Sequence, residues 1–196
     1  MTTYSTLTLL LGGARSGKSR YAEQWAKDHG GRVLFVATAE ALDDEMAERI
    51  AAHRATRPAL WHTLEAPRNT AQAMARTLQQ FRADVVVVDC MTLLASNTLL
   101  DLPDNATAEA VHHALTEQAR ALVTLFGETP NTQFLVVSNE VGMGVVPPTR
   151  LGRLYQDGLG AANQVLAAAA DHVLLFVAGL AWQLKSPPTH NMDKRK

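Results

Sequence analysis

A single cysteine, Cys90, stands in the 196 residues. This excludes an internal disulfide and any cysteine-rich zinc site, and it fits a reducing, cytoplasmic setting. An excess of charge of one sign is also missing: 18 Lys and Arg face 19 Asp and Glu, for a formal net charge of -1. The basic residues are dispersed, so the electrostatic footprint of a nucleic-acid binder is absent. Long apolar runs are lacking too, although 47% of the residues are hydrophobic. They come in short blocks, none long enough to span a bilayer, and stable membrane insertion is not expected. The opening "MTTYSTLTLLLGG" has no basic stretch before its apolar run, so it does not read as a cleavable signal.

What is present is alternation. Apolar, β-branched runs at Leu7 to Leu11, Val33 to Ala37, Val85 to Val88, Phe134 to Val137 and Val173 to Val177 predict strands. Segments of helical spacing separate them: Lys18 to Asp28, Asp43 to Arg54, Thr70 to Phe81, Ala108 to Phe126 and Leu151 to Ala170. The pattern predicts an α/β fold, a mostly parallel sheet with helices on both faces. Gly179 predicts a turn back into Ala181 to Leu184, an antiparallel C-terminal edge hairpin. "LDLPDNAT" is a loop long enough to divide two helical pieces. Residues 1–185 read as one domain, and the polar, proline-containing 186–196 as a disordered tail.

Gly12, four residues, then Gly17-Lys18-Ser19 fit the Walker A pattern, with a strand before and a helix after, as a phosphate loop requires. Backbone N–H groups there face phosphate, and glycine lets the main chain approach closely. Lys18 is expected to reach the β and γ oxygens and Ser19 to hold magnesium. "VVVVDC" ends an apolar strand on Asp89, the Walker B arrangement for the same ion. The fold expected is therefore a P-loop NTPase of RecA-like type. Cys90, inside "VVVVDCMTLL", reads as a buried thiol and not a nucleophile.

A simple kinase leaves "DDEMAERIAAHRATRPALWHTLEA" unexplained. Its acidic start suits the positive end of a helix dipole, and Arg54, Arg57 and Pro58 suit its end. On the residues alone, His53 is accounted for as an exposed structural histidine, although a neutral imidazole beside guanidinium groups can attack phosphorus. Asn139 and Glu140, in "VVSNEVGMGVVPP" after the fourth strand, read equally as substrate or magnesium-water ligands and as caps of a structural turn. His29, His62, His172 and His190 read as surface or loop residues. His112 and His113, adjacent on a helix, point apart and do not form a metal site.

"GGARSGKSRYAE", "ATAEALDDEMAERIAAHRATRP" and "SNEVGMGVVPPTRLGRLYQDGLGAANQVLAAAADHVLLFVAGLAWQLK" together resemble the bifunctional adenosylcobinamide kinase and adenosylcobinamide-phosphate guanylyltransferase family of cobalamin biosynthesis. The first motif marks any P-loop protein, and the other two are specific. The resemblance implies phosphorylation of adenosylcobinamide by ATP or GTP, with magnesium. It then implies transfer of GMP from GTP to the adenosylcobinamide phosphate through a guanylylated histidine, releasing pyrophosphate. His53 takes the place of that histidine, and with Lys18 forms the implied catalytic pair. Implied nucleotide contacts fall on Gly12, Gly13, Ala14, Arg15, Ser16, Gly17, Lys18 and Ser19, on Ala37, Thr38 and Ala39, on Arg54, Ala55, Thr56 and Arg57, and on Glu65 and Asp89. The family also implies a homo-oligomer. Two alternatives remain at this point: a single-activity small-molecule kinase with His53 structural, and a RecA-like regulatory ATPase that ignores corrinoids.

Overall fold

The computed structural model describes residues 5–41, 43–55 and 57–187. Strands β1 (Thr6–Gly12), β2 (Val33–Ala37), β3 (His62–Glu65), β4 (Val85–Asp89), β5 (Gln133–Val137), β6 (His172–Val177) and β7 (Leu180–Lys185) alternate with helices α1 (Lys18–His29), α2 (Asp44–Ala55), α3 (Thr70–Gln80), α4 (Met91–Leu100), α5 (Ala108–Glu128) and α6 (Arg150–Ala169). The strands form one seven-stranded sheet in the order β3-β2-β4-β5-β1-β6-β7. All neighbours are parallel except β6 and β7, the expected edge hairpin.

Burial on both faces explains the uninterrupted apolar strands. On one face Leu9, Val86, Val88 and Phe134 pack beneath Met74 of α3, Leu94 of α4, Leu115 of α5 and Leu159 of α6. On the other, Leu10, Phe35 and Val87 pack beneath Ala22 and Ala26 of α1. Thr107 and Thr149 cap α5 and α6, their side chains accepting from the N–H groups of Ala110 and Gly152.

Two elements lack a counterpart among the segments picked out by periodicity. Strand β3 is only four residues long, with outer positions exposed, too brief for a periodic signal. Helix α4 follows β4 with only Cys90 between them, and Met91, Leu94, Ala95, Asn97 and Leu99 are buried on several sides. It is the first of the two helical pieces divided by the loop at residues 101–107, and its all-round burial leaves no amphipathic stripe. His62 is exposed on β3, as a surface residue, whereas His172 is partly buried on β6 and His29 closes α1. Ser186 and Pro187 are exposed and without regular structure. Residues 188–196, including His190 and the rest of the expected tail, lie outside the described residues.

The order of strands sets the site. β1, which delivers the glycine-rich loop, is separated from β4, which ends on Asp89, by β5. Glu65, Ala37 and Asp89 stand level at the carboxyl ends of β3, β2 and β4, where open parallel sheets bind ligands.

Candidate active site

The loop from Gly12 to Ser19 turns tightly. Gly12 has φ 147°, and a Cβ there would lie 2.4 Å from the Phe176 carbonyl oxygen. Gly17 has φ 102° and leads straight into α1, whose first turn has neither a side-chain cap nor an acidic residue. Its N–H groups are therefore left for an anion. Lys18 folds back across the loop, donating from Nζ to the Gly13 carbonyl (2.7 Å) and to Ser16 Oγ (3.3 Å). Burial lowers its pKa, against the pull of Cys90 and Asp89. Gly179, in the β6–β7 turn, donates its N–H to the Ser16 carbonyl at 3.0 Å, a brace on the loop that no local pattern announces.

Ser19 Oγ donates to Asp89 Oδ1 at 3.1 Å, joining the two nucleotide motifs. Burial pushes the Asp89 carboxyl up, while His53, Ser19 and Arg57 pull it down. Among the described residues no group of three or more His, Cys, Asp or Glu converges as a metal cage. One hydroxyl beside one carboxylate is the sparse oxygen set that magnesium completes with water and phosphate oxygens.

Helix α2 brings His53 to this place. Its Nε2 lies 2.9 Å from Glu23 Oε1 and 3.9 Å from Asp89 Oδ2, and its Nδ1 lies 3.0 Å from an Arg57 guanidinium nitrogen. The Glu23 carboxylate raises the His53 pKa, burial opposes it, Asp89 adds to the rise and Arg57 counters it. Glu23 itself is held low: burial would raise it, but His53, Lys27 and Arg57 outweigh that. Burial lowers the Arg57 pKa.

Ser19, Ala37, Ala39, Met46, Ile50, His53, Arg57, Asp89, Cys90 and Leu93 line one pocket of about 270 Å³. The phosphate-loop serine, the Walker B aspartate and the histidine thus converge. Thr38 is fully buried and its hydroxyl accepts from the Cys90 N–H and donates to the Cys90 carbonyl, so its side chain serves the backbone of the site. Arg54 and Glu65 pair with each other at the rim. Ala55 ends α2 and Thr56 lies outside the described residues. Glu140 turns inward on its own loop, accepting from the Gly142 N–H at 2.7 Å, the capped-turn arrangement. Asn139 is held through its main chain by Thr92 and Asn163.

Residues 8–184 match the family described as cobinamide kinase / cobinamide phosphate guanyltransferase. The chain belongs to the CobU family. It is 44% identical over 181 residues to a bifunctional adenosylcobalamin biosynthesis protein, CobP, of Pseudomonas aeruginosa, with 92% of this chain and 98% of the relative aligned. It is 39% identical over 184 residues to the bifunctional adenosylcobalamin biosynthesis protein CobU of Escherichia coli, covering 91% and 99%.

Within this CobU-family site, sequence reasoning did not single out Glu23 or Phe35, and it gave Gly179 only the turn of the edge hairpin. Glu23 carried one signal: it follows Ser19 by one helical turn and so shares its face of α1. Phe35 sits inside an apolar strand, where nothing distinguishes it from its neighbours. Its ring nevertheless meets His53 edge-on at 6.0 Å and lies parallel to Trp61 at 6.2 Å.

Proposed function

We propose that the protein phosphorylates adenosylcobinamide with a nucleoside triphosphate and then transfers GMP from GTP to adenosylcobinamide phosphate through a guanylyl group carried on His53. The observation that supports this reading is the convergence of His53 with Asp89 and Ser19 in one pocket. A histidine kept only for structure has no need to stand at the Walker motifs.

In the kinase step, Lys18 and the N–H groups of the loop neutralise the terminal phosphates, while the substrate hydroxyl attacks in line. Ser19 and Asp89 would hold magnesium, which when bound neutralises polyphosphate charge. In the transfer, His53 attacks the α-phosphorus of GTP, and pyrophosphate leaves along the loop. Adenosylcobinamide phosphate then displaces His53. The relay divides one transfer between two anions into two steps with better leaving groups. Arg57, half-buried at the pocket, neutralises the phosphate under attack.

The test uses GTP labelled at the α-phosphate. The wild type should retain an acid-labile, alkali-stable label after denaturation, and no label should remain on His53→Ala. An unlabelled wild type would leave a kinase without the covalent relay. Turnover with adenosylcobinamide, ATP and GTP, compared with ATP alone plus macromolecular partners, separates the enzyme from a regulatory ATPase. Homo-oligomeric assembly and a cytoplasmic location belong to the same proposal.

A further inference from the structure

The surroundings of the His53 ring are electrically lopsided. At Nδ1 stands a guanidinium nitrogen of Arg57, 3.0 Å away. A guanidinium can only donate, so Nδ1 presents its lone pair. At Nε2 stand two carboxylates, Glu23 at 2.9 Å and Asp89 at 3.9 Å, which only accept when ionised. The neutral ring that satisfies both sides has its proton on Nε2.

We propose that Nδ1 is the nitrogen that receives the guanylyl group, and that Glu23 is the positioning residue that reserves it by keeping the proton on Nε2. This rests on the covalent reading above and adds to it the atom and the residue that selects the atom. Glu23 suits the task because it is buried on α1, directly behind the phosphate loop, while His53 comes from α2. Its Oε1 stands 2.9 Å from Nε2 without a well-aligned hydrogen bond in this arrangement, a close polar contact that a small turn of either side chain would align. Contacts of this kind commonly tighten when substrate binds.

Charge favours the same atom. An α-phosphate brought to Nε2 would meet Glu23, whereas one brought to Nδ1 meets Arg57, whose buried Nε lacks a hydrogen-bond partner. Arg57 then passes from the ring to the phosphate oxygens. The Nδ1 lone pair forms the N–P bond, the bond from the α-phosphorus to the bridging oxygen breaks, and its electron pair leaves with pyrophosphate. Nε2 keeps its proton, and the positive charge on the ring is balanced by Glu23. On return, an oxygen of adenosylcobinamide phosphate attacks phosphorus, the N–P bond breaks, and its electron pair goes back to Nδ1.

The experiment traps the adduct on protein labelled with ¹⁵N-histidine, using GTP and pyrophosphatase, and reads ³¹P–¹⁵N coupling and ring ¹H–¹⁵N correlations by NMR. The wild type should carry phosphorus on Nδ1. Glu23→Gln, whose amide oxygen can still accept from Nε2, should keep that isomer, while Glu23→Ala should give both isomers and guanylylate about 100-fold more slowly. An Nε2 adduct on the wild type overturns the proposal, as does pure Nδ1 adduct on Glu23→Ala. If the wild type shows coupling at neither nitrogen, the covalent reading itself fails, and this inference falls with it.

Discussion

The guanidinium carbon of Arg57 lies 3.8 Å from the centroid of the Phe35 ring, so a buried strand residue fixes a cation just beyond the end of α2. A planar guanidinium can stack on the ring and still reach His53, which an ammonium cannot. Arg57→Lys should therefore slow guanylylation about 100-fold in single-turnover assays. Phe35→Leu should raise the KM for GTP in the transfer step and lower stability by about 1–2 kcal/mol, read by urea unfolding. Wild-type transfer by Arg57→Lys would separate this stacked pair from catalysis.

Lys18 and His53 should differ in what they abolish. Lys18→Ala removes the cation folded across the phosphate loop and should lose both activities together with triphosphate binding by calorimetry. His53→Ala should lose guanylyl transfer while retaining at least part of the kinase activity. A His53→Ala protein that still makes adenosylcobinamide-GDP would return the histidine to a structural role.

Gly12 admits no side chain. With φ 147°, an added Cβ would lie 2.4 Å from the Phe176 carbonyl oxygen and 2.9 Å from Ser16 Oγ, and the first of these belongs to backbone that cannot swing away. Gly12→Ala should lower stability by about 2–4 kcal/mol and weaken nucleotide binding. Gly13, where a Cβ would meet nothing within 4 Å, should accept alanine with little change in melting temperature.

Cys90 lines the pocket but is a poor nucleophile. Burial, with the nearby Asp89 charge, pushes its thiol up to about 11, so little thiolate exists at neutral pH. Alkylation by iodoacetamide at pH 8 should be far slower than that of a free cysteine and should accelerate in denaturant. Fast labelling of the native protein would contradict this environment.

Asp84 gives a pH signature away from the site. Its carboxylate accepts from the Arg32 side chain and from the Arg32 backbone N–H, which hold its pKa down to about 2. The stabilisation is complete above the unfolded carboxylate value of about 3.9 and is lost as pH falls toward the folded one. Both partners are well exposed, so the loss should stay under about 1 kcal/mol. Wild type and Asp84→Asn should differ in urea midpoint at pH 6 and converge near pH 2.

The strands with continuous apolar runs, the helices with a one-sided stripe and the phosphate loop with its fixed spacing were readable in the chain, because each is a local pattern. β3 and α4 were harder: the strand is too short to repeat, and the helix is buried on too many sides to show a polar face. Asp89 stood out as a candidate because a charge at the end of an apolar strand is conspicuous. Glu23 stood one turn beyond Ser19 and looked like any helical carboxylate until α2 was laid against it.

Sequence alone determined that a glycine-rich turn would join a strand to a helix between Gly12 and Ser19, since backbone geometry and helix polarity follow from neighbouring residues. It also determined that the sheet would be mostly parallel, with its central strands covered on both faces, since period and burial are encoded along each strand. Only the tertiary structure decided that His53 stands between two carboxylates and a guanidinium. Those partners come from α1, β4 and the segment after α2, and the charge on an imidazole nitrogen depends on what faces it across space, which no spacing along the chain records.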